Sequence, residues 1–480
     1  MKPTRRFQTA CLLLSLLLGC GPSSVLGDNP PSARQTTVAL PVRSASVTLI
    51  SALPATSKGN DFPSSVVGVV GGKVRVAVSE DPIYVLDGDT SVGSVDLERS
   101  PFGIHPALVP DDPDGPFARA QRLGVRWHRG IYAYWIKIQP TEEDVRKGIF
   151  HWETTDGEWG AVPKSMNILA NIGLPERLQD GPGPPGTPFR PPTTWKLNLP
   201  ESAYVTFVKA VVERYDGDGK EDMPGLKVPV KYWQFENEPD GWGNRDWEGY
   251  AHLQELTYGT IKEACPEAKV LIGGQVGLAP DAFQQFFEPA LRRLRGKSVD
   301  VFDFHWFGNA GRDGQLLEML IKDTRARLDA LGYAACPIWI CETGTYSGQP
   351  GDEASPALPG APPTPPMPPQ SEREQAQDLV KRYTLALSMG VHKVFWAFGL
   401  MEGFQNDDGY FDHTGLIYDG RFDHDPPRGT PKLAYYSYAK MTRLLEGADW
   451  PRARRLDLGV GIYAFEVPKG QGTVTVLWGQ

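Results

Sequence analysis

The run Val228-Pro229-Val230-Lys231-Tyr232-Trp233-Gln234-Phe235, carried on by Glu236 into Asn237-Glu238-Pro239-Asp240, decides how this chain is read. Aromatic and β-branched residues crowd it and Pro239 ends it, so it reads as a buried strand giving way to a loop. Glu238 stands at that junction. A second run, Ile338-Trp339-Ile340-Cys341-Glu342-Thr343-Gly344, again closes an apolar strand with a glutamate. Two acids at the ends of two buried strands act together only on a scaffold where strand ends converge.

Working outward from these runs, the chain beyond Ser100 alternates strands with longer amphipathic segments, the βα repeat of a parallel sheet. Eight strands are expected: Phe102–His105, Val125–Arg129, Asn167–Ile172, Lys231–Glu236, Val270–Gly273, Val301–His305, Ile338–Glu342 and Lys393–Phe398. Helices are expected between them at Pro116–Leu123, Ala203–Tyr215, Asp246–Ala264, Ala282–Arg295, Gly314–Leu331 and Glu372–Ser388, with a last one at Lys432–Leu445. The unit after the second strand has the vaguest pattern. Eight βα units favour a closed (β/α)8 TIM barrel over residues 99–448, and no Gly-rich phosphate loop follows the first strand. Two Pro/Gly-rich stretches, Gly181–Pro192 and Gln349–Gln370, follow strand C-termini and so belong to the mouth of such a barrel. The second reads as a stiff exposed insert.

Either side of the barrel the texture is β-rich. Val47-Thr48-Leu49-Ile50, Val66-Val67-Gly68-Val69-Val70, Val74-Arg75-Val76-Ala77-Val78 and Ile83-Tyr84-Val85-Leu86 lie within 37–98. Leu456-Asp457-Leu458, Gly461–Val467 and Thr473–Trp478 lie within 449–480. The expectation is one sandwich-like accessory unit built from both ends of the chain. Residues 1–20 read as a targeting segment, with Lys2, Arg5 and Arg6 preceding an apolar stretch too short to span a bilayer. It ends Leu17-Leu18-Gly19-Cys20, which resembles the bacterial lipoprotein cleavage box, and that resemblance implies lipidation of Cys20. Residues 21–36 then form a tether. An extracytoplasmic, lipid-anchored protein is expected, with the outer membrane preferred because Gly21, not Asp, follows. The remaining cysteines, Cys265, Cys336 and Cys341, have no metal or disulfide-framework spacing and read as core thiols.

Charge narrows the partners. The 480 residues carry a formal net charge of −9, leaving no basic stripe for nucleic acid. Thirteen Trp and seventeen Tyr supply flat faces suited to sugars, although most must be core. Membrane contact is expected through the lipid anchor alone.

The order, spacing and strand context of Asn237-Glu238 on strand four and Glu342 on strand seven resemble a clan A glycoside hydrolase across roughly residues 100–446. Family thirty-nine and family five enzymes are the nearest in pattern. The resemblance implies retaining hydrolysis of β-linked oligo- or polysaccharide with no metal or cofactor, Glu238 as acid/base and Glu342 as nucleophile. It further implies Asn237 at the sugar 2-hydroxyl, Arg129 (with Arg126 as rival) orienting the nucleophile, His305 tuning the acids, and Trp396 as the platform under the sugar. Phe307 stands two residues after His305, where such enzymes often have Tyr, so a phenol for the nucleophile has to come from elsewhere or be absent. Glu236 shares a face with Glu238 by alternation: inward it adds a third carboxylate, outward through a bulge it is structural. The acidic loop 405–413 either rims the cleft, holds Ca²⁺ or is simply solvated. The alternatives to an enzyme are a non-catalytic glycan-binding surface lipoprotein and a structural surface protein.

Overall fold

The computed structural model describes residues 36–480, apart from 57–58, 60, 175–176, 180–192, 242–243, 277–282, 311–313, 352–366, 405–407 and 423–424. The targeting segment, Cys20, the loop 181–192 and most of 349–370 therefore lie outside the described residues.

Eight parallel strands form the centre: β6 (Phe102–His105), β7 (Trp127–Tyr134), β8 (Asn167–Gly173), β9 (Tyr232–Phe235), β10 (Lys269–Leu271), β11 (Phe302–Phe307), β12 (Ile338–Gly344) and β13 (Val391–Ala397). They are hydrogen-bonded in the order β10-β9-β8-β7-β6-β13-β12-β11, so the first and last strands of the series pair directly. Parallel bridges Leu271↔Val301 and Gln275↔Phe304 join β10 to the β11 side and close the ring. The result is the expected (β/α)8 barrel. Helices cover it at Ala118–Leu123, Glu201–Tyr215, Trp247–Ala264, Gly314–Ala330, Glu372–Ser388 and Leu433–Leu445. The expected helix at 282–295 is a π-helical turn, Phe283–Phe287, running into Glu288–Leu294. The vague unit after β7 holds three short helices, Trp135–Ile138, Glu142–Lys147 and Glu153–Ala161, too short to show a clear 3.6-residue period.

One cluster fills the barrel: Trp127, Leu169, Leu271, Val301, Trp339, Cys341 and Phe395, drawn from six of the strands or their approaches, with Tyr232 packed on it. At its base Lys393 lies over the Trp127 and Trp339 rings, 4.3 and 5.2 Å from their centroids, and donates to the Ser100 carbonyl at 3.0 Å. The neighbouring strand positions, Ile340 and Trp396 among them, face the larger core under the helices. Alternation thus assigns each strand residue to one of two cores.

The two ends of the chain meet in one antiparallel sheet, ordered β14 (Arg454–Arg455), β15 (Ile462–Lys469), β16 (Gly472–Gly479), β5 (Ile83–Asp87), β2 (Ser46–Ser51), β3 (Ser64–Gly68). β16 pairs with β5 through Val474↔Leu86 and Val476↔Tyr84. A two-stranded sheet of β1 (Thr36–Pro41) and β4 (Lys73–Val78) packs against it through Val38, Leu40, Val74, Val76, Val85 and Leu477. The accessory β unit is therefore shared by N- and C-terminal strands, as their patterning predicts. Leu456–Leu458 is not a strand; β14 ends at Arg455, with one further bond from the Leu456 N–H to the Ala464 carbonyl at 2.8 Å. Among the described residues no helix is long and apolar enough to cross a membrane.

Candidate active site

At the mouth, strict alternation breaks in three places, and each break aims a functional side chain. On β12 the inward positions are Trp339 and Cys341, so Glu342 should point outward. A shift of register between Ile340 and Thr343 lets Glu342 turn in as well. Cys341 lies in the barrel interior beneath it, so the two neighbours share a side that alternation would have denied them. On β7 the register shifts between Arg129 and Ile131, where Gly130 has φ 140°. On the loop after β9, Glu236 and Glu238 both take left-handed backbone, φ 63° and 47°. That conformation costs energy for a non-glycine residue and is held by the surrounding structure.

The break after β9 settles Glu236. Its carboxylate leaves the mouth and accepts the Leu174 backbone N–H in a short bond, tying the β8 and β9 ends together. Burial pushes its pKa up to about 8. The carboxyl is structural rather than a third acid facing the pair.

Glu238 and Glu342 are brought together. Carboxylate oxygens of the two, with a ring nitrogen of His305, all lie within 4.8 Å of one another. Glu342 is 2 % exposed at its side chain and Glu238 31 %, so one acid forms the floor and the other a wall open to the cleft. Arg129, fully buried, donates from Nη1 to Glu342 Oε1 at 2.6 Å, from Nη2 to Asn237 Oδ1 at 2.6 Å and from Nε to Gln234 Oε1 at 3.0 Å. Its fork therefore sets the positions of an acid, an amide and a strand-interior glutamine at once. Arg126 precedes β7, which begins at Trp127, and it is Arg129 that meets Glu342. Burial raises the pKa of Glu342, against which the charges of His305 and Arg129 work.

His305 bridges the acids. Its Nδ1–H donates to Glu238 Oε1 at 2.8 Å and lies 3.5 Å from Glu342 Oε2. Its Nε2 is 3.2 Å from Asp303 Oδ2, an ion-pair contact too oblique for a good hydrogen bond. Burial opposes a charge on this ring, but the carboxylates of Glu342 and Asp303 outweigh it and push its pKa up to about 10. Gly274 makes room for the ring: a Cβ there would stand 2.1 Å from His305 Nε2. Asp303 is itself pinned by the Cys341 N–H at 2.9 Å and Gln234 Nε2 at 2.7 Å. Asn171 Nδ2 also donates to Gln234 Oε1, at 3.1 Å. A buried polar layer thus lies under the two acids with its members joined.

Gln234, Asp303, Asn171, His105 and Tyr132 were not singled out from sequence. Their common signal is a polar side chain at an inward position of an otherwise apolar strand. His105 donates from Nδ1 to the Arg129 carbonyl at 3.0 Å, which leaves Nε2 to accept from the Tyr132 hydroxyl at 3.2 Å. Burial and the Arg129 charge lower its pKa well below the usual imidazole value, so its 3.5 Å approach to Glu342 Oε1 is that of a neutral ring. The phenol at the mouth thus acts on His105, one contact removed from Glu342.

Trp396 does not form a platform. It is wholly buried in the core under the helices, with Nε1 donating to the Thr414 carbonyl at 2.8 Å. Alternation gives the reason: its neighbour Phe395 points into the barrel. The aromatic side chain at this edge of the mouth is Phe398, edge-on to His105 at 5.4 Å. In the loop 405–413 the described acids have protein partners: Asp408 meets His413 Nε2 at 2.7 Å, and Asp412 accepts from Arg421 at 3.3 Å. Other carboxylate groupings occur at Asp216, Asp218 and Asp222 and at Glu402, Asp419 and Asp425. The former accepts backbone N–H groups of its own loop, and Glu402 lies 2.5 Å from the buried Lys432 Nζ.

No protein-family model matches the chain, and no curated protein does. Solved structures do. A family 39 glycoside hydrolase from the gut symbiont Bacteroides cellulosilyticus WH2 superposes with a TM-score of 0.55 at 17% identity, over 92% of this chain and 86% of that one. The family 39 enzyme of Xanthomonas axonopodis pv. citri gives 0.51 at 15% identity, over 79% and 74%. A family 39 β-xylosidase from Caulobacter crescentus gives 0.50 at 14% identity, over 78% and 79%. At such identities the likeness is one of fold.

Proposed function

We propose that this chain is a retaining glycoside hydrolase acting on β-linked oligo- or polysaccharide. The observation that carries the reading is the pair of carboxylates from β12 and the β9 end, with oxygens within 4.8 Å at the barrel mouth. So close an approach favours double displacement, for which the acids stand about 5–5.5 Å apart, over inversion, which needs about 6.5–9.5 Å to admit a water.

In the first step Glu342 attacks the anomeric carbon as the glycosidic C–O bond breaks, and the leaving oxygen takes the proton of Glu238. His305 donates to Oε1 of Glu238, so the transferable proton is placed on Oε2. Once Glu342 becomes an ester its charge is gone, and the His305 imidazolium loses the strongest of the charges that hold its proton. In the second step Glu238, now a carboxylate, takes a proton from water as that water attacks the anomeric carbon and releases Glu342. Arg129 keeps Glu342 ionised and holds Asn237 beside the acid, facing the sugar 2-hydroxyl.

The test is a screen of p-nitrophenyl β-glycosides and plant or microbial polysaccharides, with the first-formed anomer read by proton NMR. The β-anomer should appear first, and Glu342→Gln should lower turnover by orders of magnitude while glycan binding persists. Equal hydrolysis by the variant, or α-anomer formed first, would sink the reading; a cleft that binds glycans without cleaving them would make the chain a glycan-binding protein. We further propose that Cys20 is lipidated and anchors the chain outside the cytoplasm. Radiolabelled palmitate should enter the wild-type chain and not Cys20→Ser.

A further inference from the structure

Beside the acids runs a stack of three nearly parallel rings. Phe307 of β11 lies on Phe398 at 5.4 Å and 18°, and Phe404 lies on the same ring at 4.1 Å and 11°. Phe411 abuts the first two edge-on, 5.0 Å from each. The middle ring, Phe398, touches His105, whose Nε2 is 3.5 Å from Glu342 Oε1. The outer end is Phe404, 45 % exposed although its inner face is covered by Phe398. A lone exposed ring is ordinary, but Phe404 continues a contiguous wall in which Phe307 and Phe411 are also partly exposed, and such a patch at a cleft edge marks a contact site. The departure at Phe307, a ring without a hydroxyl, belongs to the same wall: it extends an apolar surface instead of reaching Glu342.

We propose that Phe404, braced by Phe398 and Phe307, is a stacking platform for a second ring of the substrate, next to the sugar gripped by Glu238 and Glu342. This rests on the glycosidase reading and narrows it. The preferred substrates carry a flat, apolar-faced ring adjoining the cleaved residue, either another pyranose with its C–H face down or an aryl group. Because Phe404 is already packed on Phe398, the platform needs less ordering when it is covered than a free side chain would.

The experiment uses the full chain and whichever of the p-nitrophenyl β-xyloside, β-glucoside and β-galactoside is cut. For that sugar, kcat/KM is measured on the glycosyl fluoride, which has no second ring, on the p-nitrophenyl glycoside and on the β-1,4-disaccharide. In Phe404→Ala the ratio of either ring-bearing substrate to the fluoride should fall about tenfold, the scale of one lost aromatic contact. Phe404→Trp should restore it. A loss confined to the disaccharide assigns the platform to a pyranose, and one confined to the nitrophenyl compound assigns it to an aryl group. Ratios equal in wild type and Phe404→Ala overturn the inference while leaving the glycosidase reading intact. If neither this panel nor the polysaccharides of the screen above are cut, the glycosidase reading falls and the platform with it.

Discussion

Replacing Arg129 by Met tests the site at its most connected residue. Methionine fills much of the aliphatic volume but removes the donors to Glu342, Asn237 and Gln234. Glu342, 2 % exposed, is then a buried acid facing the His305 imidazolium alone. Breaking a buried pair by deleting one partner costs about 3–5 kcal/mol, because the other charge is left uncompensated. The same energy, set against about 1.4 kcal/mol per decade, predicts a fall in kcat/KM of about a hundredfold to several thousandfold. The two effects share a cause: without the guanidinium, burial raises the pKa of Glu342 further, so a larger fraction of it is protonated at any given pH. Activity should therefore recover in part as pH rises. Urea denaturation and a pH series of kcat/KM on an accepted aryl glycoside read both. A variant within about threefold of wild type in kcat/KM and about 1 kcal/mol in unfolding free energy would refute the role given to Arg129.

Gly274→Ala places a Cβ 2.1 Å from His305 Nε2, so the ring must turn and lose its bond to Glu238. kcat/KM should drop by about 10²-fold, the scale of one acid–base contribution, with a much smaller change in melting temperature; unaltered kinetics would show that His305 does not set Glu238. Glu236→Gln keeps an acceptor for the Leu174 N–H and removes the charge. The folded pKa of Glu236 is raised, to about 8 from 4.5, so wild type loses stability as pH climbs through that interval. The variant should exceed wild type by up to roughly 4 kcal/mol at pH 8 and show no advantage near pH 4.5, where the unfolded carboxyl also gains its proton. Parallel urea midpoints for the two proteins across that range would contradict this.

The long-range plan of the molecule was legible because it is written in local patterns. Each of the eight barrel strands carries its own apolar run, so each was found, and the helix expected at Glu372–Ser388 has those bounds, opening on a capping box of Ser371 and Glu374. Glu238, Asn237, Arg129, His305 and Glu342 converge because residues at strand C-termini of a barrel have one mouth to share. The short helices between Trp135 and Ala161 escaped, since fewer than three turns give no reliable period.

By itself, the sequence determined where the eight barrel strands lie, which acids stand at their ends, and that eight βα units favour a closed barrel. Only the tertiary structure decided which way the end residues face. Alternation has a period of two, so one shifted register or one left-handed residue reverses the prediction. That is why Glu342 turns inward beside Cys341, why Glu236 leaves the mouth that Glu238 enters, and why Trp396 is core while Phe398 meets the cleft. Such reversals are held by bonds between distant strands, Arg129 to Glu342 and Asp303 to Cys341 among them, and no local pattern announces a partner more than thirty residues away.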